Sequence, residues 1–307
     1  MNPNTLCGAN GAARFDLPTT FRAYSKVIQL ASIAVFVLAL FAASAKAAPF
    51  VYVVTSSQQF GTLDLATGAF QAIGNPTPDA MADLVWGSDG FLYSVTSSGS
   101  DVGSLARIDP RTGAVNDIGP TGLGFNVFDL AGVRGQLYLT DLSNNIYSVD
   151  PNSGAATLME ATGMPPDPNV PFTFNADGTF NVCDEAFYGI DGELYATFDS
   201  WALDPTQTPP VVAHVFVAPA LYRIDPGTGN ATFIASTDLK LLALFKVNGK
   251  VYAFRGVLDG FDFTFDFPIA HSELVSFDLQ TGQTGAPTEI DPTIGLVLGA
   301  VPIRSPR

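Results

Sequence analysis

One five-residue pattern, D-[PL]-x-[ST]-G, occurs five times in this chain. The copies are Asp64–Gly68, Asp109–Gly113, Asp150–Gly154, Asp225–Gly229 and Asp278–Gly282. Each follows a short apolar run, such as Leu221-Tyr222-Arg223-Ile224. Most precede a second β-prone run, such as Ala231-Thr232-Phe233-Ile234. Self-similarity on this scale marks a repeat architecture. The turn has a chemical logic: Asp accepts from the backbone N–H two residues on, Pro pre-sets φ, and Gly supplies the positive φ that closes the loop. Each copy therefore reads as the turn of a β-hairpin. The five Asp residues are turn formers, because each turn offers too few ligands for a metal ion.

A second pair of strands precedes each hairpin and is joined by a Gly turn. Leu84-Val85-Trp86 turns at Gly87–Gly90 into Phe91–Val95, and Phe128–Ala131 turns at Arg134-Gly135 into Leu137–Leu139. Phe187–Ile190 turns at Asp191-Gly192, and Leu242–Phe245 turns at Asn248-Gly249. Four short strands per unit is the composition of a propeller blade. The first unit lacks its opening strand and starts at Phe50–Val54, while Gly295–Pro302 is a strand without a partner after the fifth hairpin. Joined, the two make one complete blade, with the C-terminal strand innermost. The fold class is thus all-β, a five-bladed β-propeller closed by its C-terminal strand, which leaves no free sheet edge around the ring. The turn glycines are 45, 41, 75 and 53 residues apart. The 75-residue interval makes six blades the alternative, with residues 172–180 as the material for the extra one.

The N-terminus has the form of an export signal. Arg14, Arg22 and Lys26 precede an uncharged run from Val27 to Ala43, and Ala45-Lys46-Ala47 is an A-x-A cleavage site. Residues 1–47 are read as a signal peptide and residues 48–307 as one propeller domain, placed in the periplasm or outside the cell. An uncleaved anchor is the alternative, since the run has a length at the lower edge of a membrane span. Removing residues 1–47 takes away Arg14, Arg22, Lys26, Lys46 and Asp16, leaving 10 basic residues against 28 acidic ones, a net of about −18. Such a surface repels nucleic acid and anionic membrane. The domain keeps one cysteine, Cys183, in an apolar stretch, so it reads as a small buried hydrophobe in a chain without a disulfide. A monomer is expected.

L-Y-R-I-D-P-G-T-G-N-A-T at 221–232, with its four sister copies, resembles the repeat of secreted bacterial β-propellers of the YVTN, NHL and quinoprotein-like superfamily. The resemblance covers nearly all of the domain and implies the fold. It implies no single activity, because such propellers host many. Quinoprotein propellers carry a docking motif of the form A-x-D-x-x-T-G-x-x-x-W. Here the Asp, Thr and Gly stand but no copy has the Trp, since Trp86 and Trp201 lie elsewhere. No quinone cofactor is expected.

The long insertions, residues 159–181, 199–219 and 256–272, all fall in connections on one face of a propeller. Loops on a rigid scaffold are where binding usually resides. Their content is aromatic and acidic. Phe261-Asp262-Phe263-Thr264-Phe265-Asp266-Phe267 alternates, which as a single strand would set its phenylalanines on one side. With Trp201 they form either a stacking platform for a protein, glycan or small molecule, or a small core that packs the loops together. Asp83, Asp129 and Asp184 with Glu185 fall near the starts of three successive inner strands, at a channel mouth on the elaborated face. Clustered carboxylates suit Ca²⁺ or acid–base chemistry. Asp83, Asp129 and Asp184 are the candidate calcium ligands, and calcium is the one cofactor the sequence suggests. His214 and His271 stand in no metal-binding spacing, and no G-x-S-x-G, P-loop or G-x-G-x-x-G is present. The function read from sequence is an exported, non-catalytic binding scaffold. The alternative is a calcium-assisted hydrolase or lactonase.

Overall fold

The structure is a computed structural model that describes residues 49–304, apart from 97–102, 125–126, 142, 166–167, 169–171, 239–240 and 265–266. For residues 127, 128, 160, 184 and 267 it describes the backbone alone. The expected leader, 1–47, lies outside the described residues.

Among the described residues, twenty strands form five four-stranded antiparallel sheets. The first blade begins with β1 (Phe50–Thr55), β2 (Phe60–Asp64) and β3 (Phe70–Ala72). The second holds β4 (Met81–Trp86), β5 (Leu92–Thr96), β6 (Ser104–Ile108) and β7 (Val115–Pro120). The third holds β8 (Val127–Val133), β9 (Gln136–Asp141), β10 (Asn145–Val149) and β11 (Ala156–Ala161). The fourth holds β12 (Phe180–Ile190), β13 (Glu193–Asp204), β14 (Val211–Ile224) and β15 (Ala231–Ser236). The fifth holds β16 (Leu241–Val247), β17 (Lys250–Asp262), β18 (Phe267–Phe277) and β19 (Thr288–Glu289). The last strand, β20 (Val297–Pro302), returns to the first sheet and pairs with β1. The inner strands β4, β8, β12, β16 and β20 pack side by side in a closed cycle. This is a five-bladed propeller. Residues 172–180 contribute only an isolated bridge, Phe174 to Phe180, so the described residues form no sixth blade.

The closure follows the expected register, with Val51 opposite Pro302, Val53 opposite Ala300 and Val54 opposite Gly299. Just beyond it the Ser56 N–H donates to the Leu296 carbonyl at 2.8 Å, and the Leu296 N–H donates to Ser56 Oγ at 2.9 Å. The core lies between neighbouring sheets. One cluster joins Val51 and Leu63 of the first blade to Phe254 and Leu274 of the fifth and Tyr188 of the fourth. Cys183 is buried in another, with Phe187 and Phe198.

The repeated turn has a role that its sequence does not announce. In all five copies the Asp Oδ1 accepts from the N–H two residues on, at 2.8–2.9 Å. The glycines take φ near +70°. At four of them a side chain would also strike the preceding blade. A Cβ on Gly113 would lie 2.2 Å from the Ile73 carbonyl oxygen, one on Gly282 would lie 2.3 Å from that of Ser236, and one on Gly68 would lie 2.3 Å from that of Glu289. Gly154 stands in the same relation to Gly119. The turn therefore sets the spacing between blades as well as the hairpin.

The insertions are not loops in the main. β13 and β14 run on past the blade as a twisted hairpin, with Trp201 opposite Val215 and Leu203 opposite Val212. β12 starts early and pairs alongside them, with Val182 opposite Trp201. β17 and β18 do likewise, with Phe261 opposite Pro268. The Phe-Asp run is consequently not one strand. Strand pairing ends at Asp262, and the hairpin turn begins at Phe263. The expected row of phenylalanines on one side is corrected by that turn.

Candidate functional site

Two places on the scaffold collect unusual side chains. The first is the extension of blades four and five. Phe180, Val182, Trp201 and Leu203 are buried there, with Val212, Leu258 and Phe261 packed against them. Trp201 is 1% exposed and is core, not a platform. The Phe261 ring lies 5.1 Å from that of Phe180, 5.8 Å from that of Phe174 and 5.0 Å from that of Phe263. A single small core thus ties the two extensions together. Its outer surface stays apolar: Phe263, Phe172, Phe174, Val215 and Phe216 are exposed, Phe263 at 61%. Phe265 lies outside the described residues. Both histidines of the chain sit on these extensions beside carboxylates. His214 Nε2 is 3.5 Å from Asp177 Oδ2, and His271 Nδ1 is 2.7 Å from Asp259 Oδ2.

The second place is the ring of inner strands. Asp83 and Asp129 hold the same register position on neighbouring strands: Leu84 and Leu130 follow them, and each strand slips register at that point. Such β-bulges re-aim a side chain. In β4 the slip puts Asp83 at φ +55°. Ser94 Oγ stands within hydrogen-bonding distance of the carbonyls of Ala82 (2.9 Å) and Asp83 (2.8 Å), and its one hydrogen, donated to either, helps to hold this backbone. Asp83 Oδ2 accepts from the Leu130 N–H at 2.8 Å, and its carboxyl is also hydrogen-bonded to Asp129. Two carboxyls in that contact share a proton. The corresponding positions on the other three inner strands are Ala186, Ala243 and Gly299.

Glu185, one residue before Ala186, joins the acidic pair electrostatically. Burial pushes Asp83 up to about 7, against the opposing effect of its bonds to Asp129 and Leu130. Burial likewise pushes Glu185 up to about 8; Asp141 and Asp83 add to the rise, and Thr140 acts against it. Tyr188 is raised well above the usual phenol range by burial first, then by Asp83 and Asp129 and last by Glu185, while its hydrogen bond to Thr197 acts the other way. The structure therefore gathers Asp83, Asp129 and Glu185, but buries them inside the ring instead of opening them at a mouth. Asp184 lies in β12 opposite Asp199; its side chain is outside those described. Among the described residues no three His, Cys, Asp or Glu side chains come together as a metal-binding group.

From Asp83 a cavity of about 270 Å³ runs toward the side of the short Gly turns. Its wall includes Phe187, Tyr188, Phe245 and Val301, and its outer end holds Asp191, Lys246 and Arg304. Lys246 is paired with Asp191, and the Arg304 guanidinium sits 5.0 Å from the Trp86 ring centroid. Tyr188 was not singled out by sequence. Its signal was a large polar side chain on an inner strand, two residues past a position that is acidic on β4 and β8.

Fold and site together define a five-bladed β-propeller with one face extended by hairpins and a buried acidic cluster at its axis. No protein-family model matches the chain, and no curated protein matches it.

Proposed function

We propose that this protein is an exported binding scaffold whose macromolecular partner docks on the paired extensions of blades four and five. The observation that carries this reading is the pair of exposed rings Phe263 and Phe174, both packed on Phe261 above the buried Trp201 and Phe180, with Phe172 and Phe216 also exposed. Clustered exposed aromatic side chains mark an interaction site. Interfaces are enriched in aromatic side chains at their centre and polar at their rim. The same segments carry Asp177, Asp204, Asp259 and Asp262, and the domain carries a net of about −18. The partner we infer is a protein with an apolar centre and a neutral or basic border. The repeat supports a place among the YVTN, NHL and quinoprotein-like propellers, with no catalytic role assigned.

A photo-crosslinking residue at Phe263, compared with one at Thr228 on the opposite face, tests this in the source cell. A crosslinked protein partner from position 263 and none from 228 is the expected result. Crosslinks from 228 alone, or from neither position, would overturn it.

A further inference from the structure

Positive charge is sorted to one end of the sheets. Trp86, Leu92, Ile108 and Val115 stand in one row across the second blade, so its Gly turn and its repeated Asp turn lie at the same end. Pro302, Val51 and Leu63 mark that end of the first blade. Of the eight basic residues described, seven stand there. Arg107, Arg111 and Arg223 lie in or beside Asp turns, Arg134, Lys246 and Lys250 flank Gly turns, and Arg304 follows β20. The eighth, Arg255, lies opposite Leu241 toward the other end and is paired with Glu273. The turn aspartates share the basic end, each with its carboxylate already bonded to its own turn. In a domain with a net of about −18, cations gathered this way make the turn end the place for an anion.

The axial cavity runs to this end, and all five inner strands contribute to its wall. Its outer end carries Lys246 and Arg304. Arg134 of the third blade reaches over the neighbouring turn: its Nε would stand 3.2 Å from a Cβ on Gly192. Lys246 is paired with Asp191, and Arg304 stands over the Trp86 ring. The Asp191 side chain is 65% exposed, and ion pairs in solvent are weak. Deeper, Phe187, Phe245 and Val301 make an apolar wall, and Asp83 closes the inner end. A ligand is thereby oriented. A carboxylate finds two cations at the mouth and none in the depth, while a ring takes the apolar wall. A volume of about 270 Å³ is near the lower limit of roughly 300 Å³ for ligand sites, so there is room for about one ring. We propose that this mouth binds a small aromatic carboxylate, with Lys246 and Arg304 on the carboxylate and Phe187 and Phe245 against the ring.

Calorimetric titration of the protein with phenylacetate, and with phenylacetamide as its uncharged counterpart, tests the proposal. We expect saturable one-to-one binding of the acid and roughly tenfold weaker binding of the amide. Lys246→Gln and Arg304→Gln should each weaken the acid by about fivefold or more. Both side chains reach solvent, so these variants keep the fold. Asp191→Asn removes the carboxylate that competes for Lys246 and should tighten the acid severalfold. Asn already holds the matching positive-φ turn position in the fifth blade, at Asn248, so the turn is kept. A purely structural role for the Lys246–Asp191 pair would not produce that gain. Equal binding of acid and amide, no binding of the acid, acid binding unchanged in Lys246→Gln or in Arg304→Gln, or no gain in Asp191→Asn would each overturn the proposal.

Discussion

Gly299 of β20 lies against the backbone of Asp83 in β4, so close that a Cβ on Gly299 would stand 2.3 Å from the Asp83 carbonyl carbon and 2.4 Å from its α-carbon. This is the seam where the returning strand meets the second blade. The opposing atoms are backbone, and Ser94 and Leu130 hold Asp83 in place. The strand cannot shift to admit a methyl without parting the inner ring. Gly299→Ala should therefore destabilise the fold by about 1–3 kcal/mol, the usual range for overpacking. At roughly 2–4 °C per kcal/mol for a domain of this size class, the melting temperature should drop by several degrees. An unchanged Tm would show that the seam is looser than described.

Protons held at the axis make stability depend on pH. Asp83 and Glu185 are raised by burial to about 7 and about 8, from ordinary values of 3.8 and 4.5. The native state keeps protons that the unfolded chain releases. The contribution is complete below about pH 4 and is lost as pH rises through 7 to 8. Between pH 5 and 8 stability should fall with increasing pH, by up to about 1.4 kcal/mol per unit for each group. Asp83→Asn cannot ionise, so its stability should fall less steeply over the same window. Urea unfolding at four pH values measures both slopes. Parallel slopes would mean that Asp83 keeps its proton in neither state.

The extension separates a structural aromatic from an exposed one. Trp201→Ala removes a ring that is 1% exposed and should cost about 3–5 kcal/mol. Phe263→Ser removes one that is 61% exposed and should stay within about 0.5 kcal/mol. Denaturant midpoints of the two variants check this. A large loss for Phe263→Ser would mean that it belongs to the core beneath it.

The blades were legible because their defining turns are local. Asp225 to Gly229 carries its own hydrogen bonds, and five copies leave little room for another fold. The closing strand was legible because an odd strand at each end needs a partner. The extensions were not legible as strands. Phe261 to Phe267 alternates through a hairpin turn that holds no Gly, Pro or Asn, so nothing in the run shows where it reverses. The sequence could not decide between platform and core for Trp201, because its burial depends on Phe180 and Phe261, which are distant in the chain. Asp83 and Asp129 could be placed from their spacing to the Gly turns. Their depth in the ring could not, since it depends on where the bulges fall.

The bonds between Ser56 and Leu296 span 240 residues of chain. At a synthesis rate of about 5–20 residues per second, β1 waits roughly 10–50 s for its inner neighbour to be made. For that interval Val51 and Val53 sit on a strand with an open edge, a template for pairing with another copy. The arrangement that closes the finished ring with its last strand thus sets a clock on its assembly. The interval before β20 arrives is the time in which a folding chain most needs to be kept apart from its siblings.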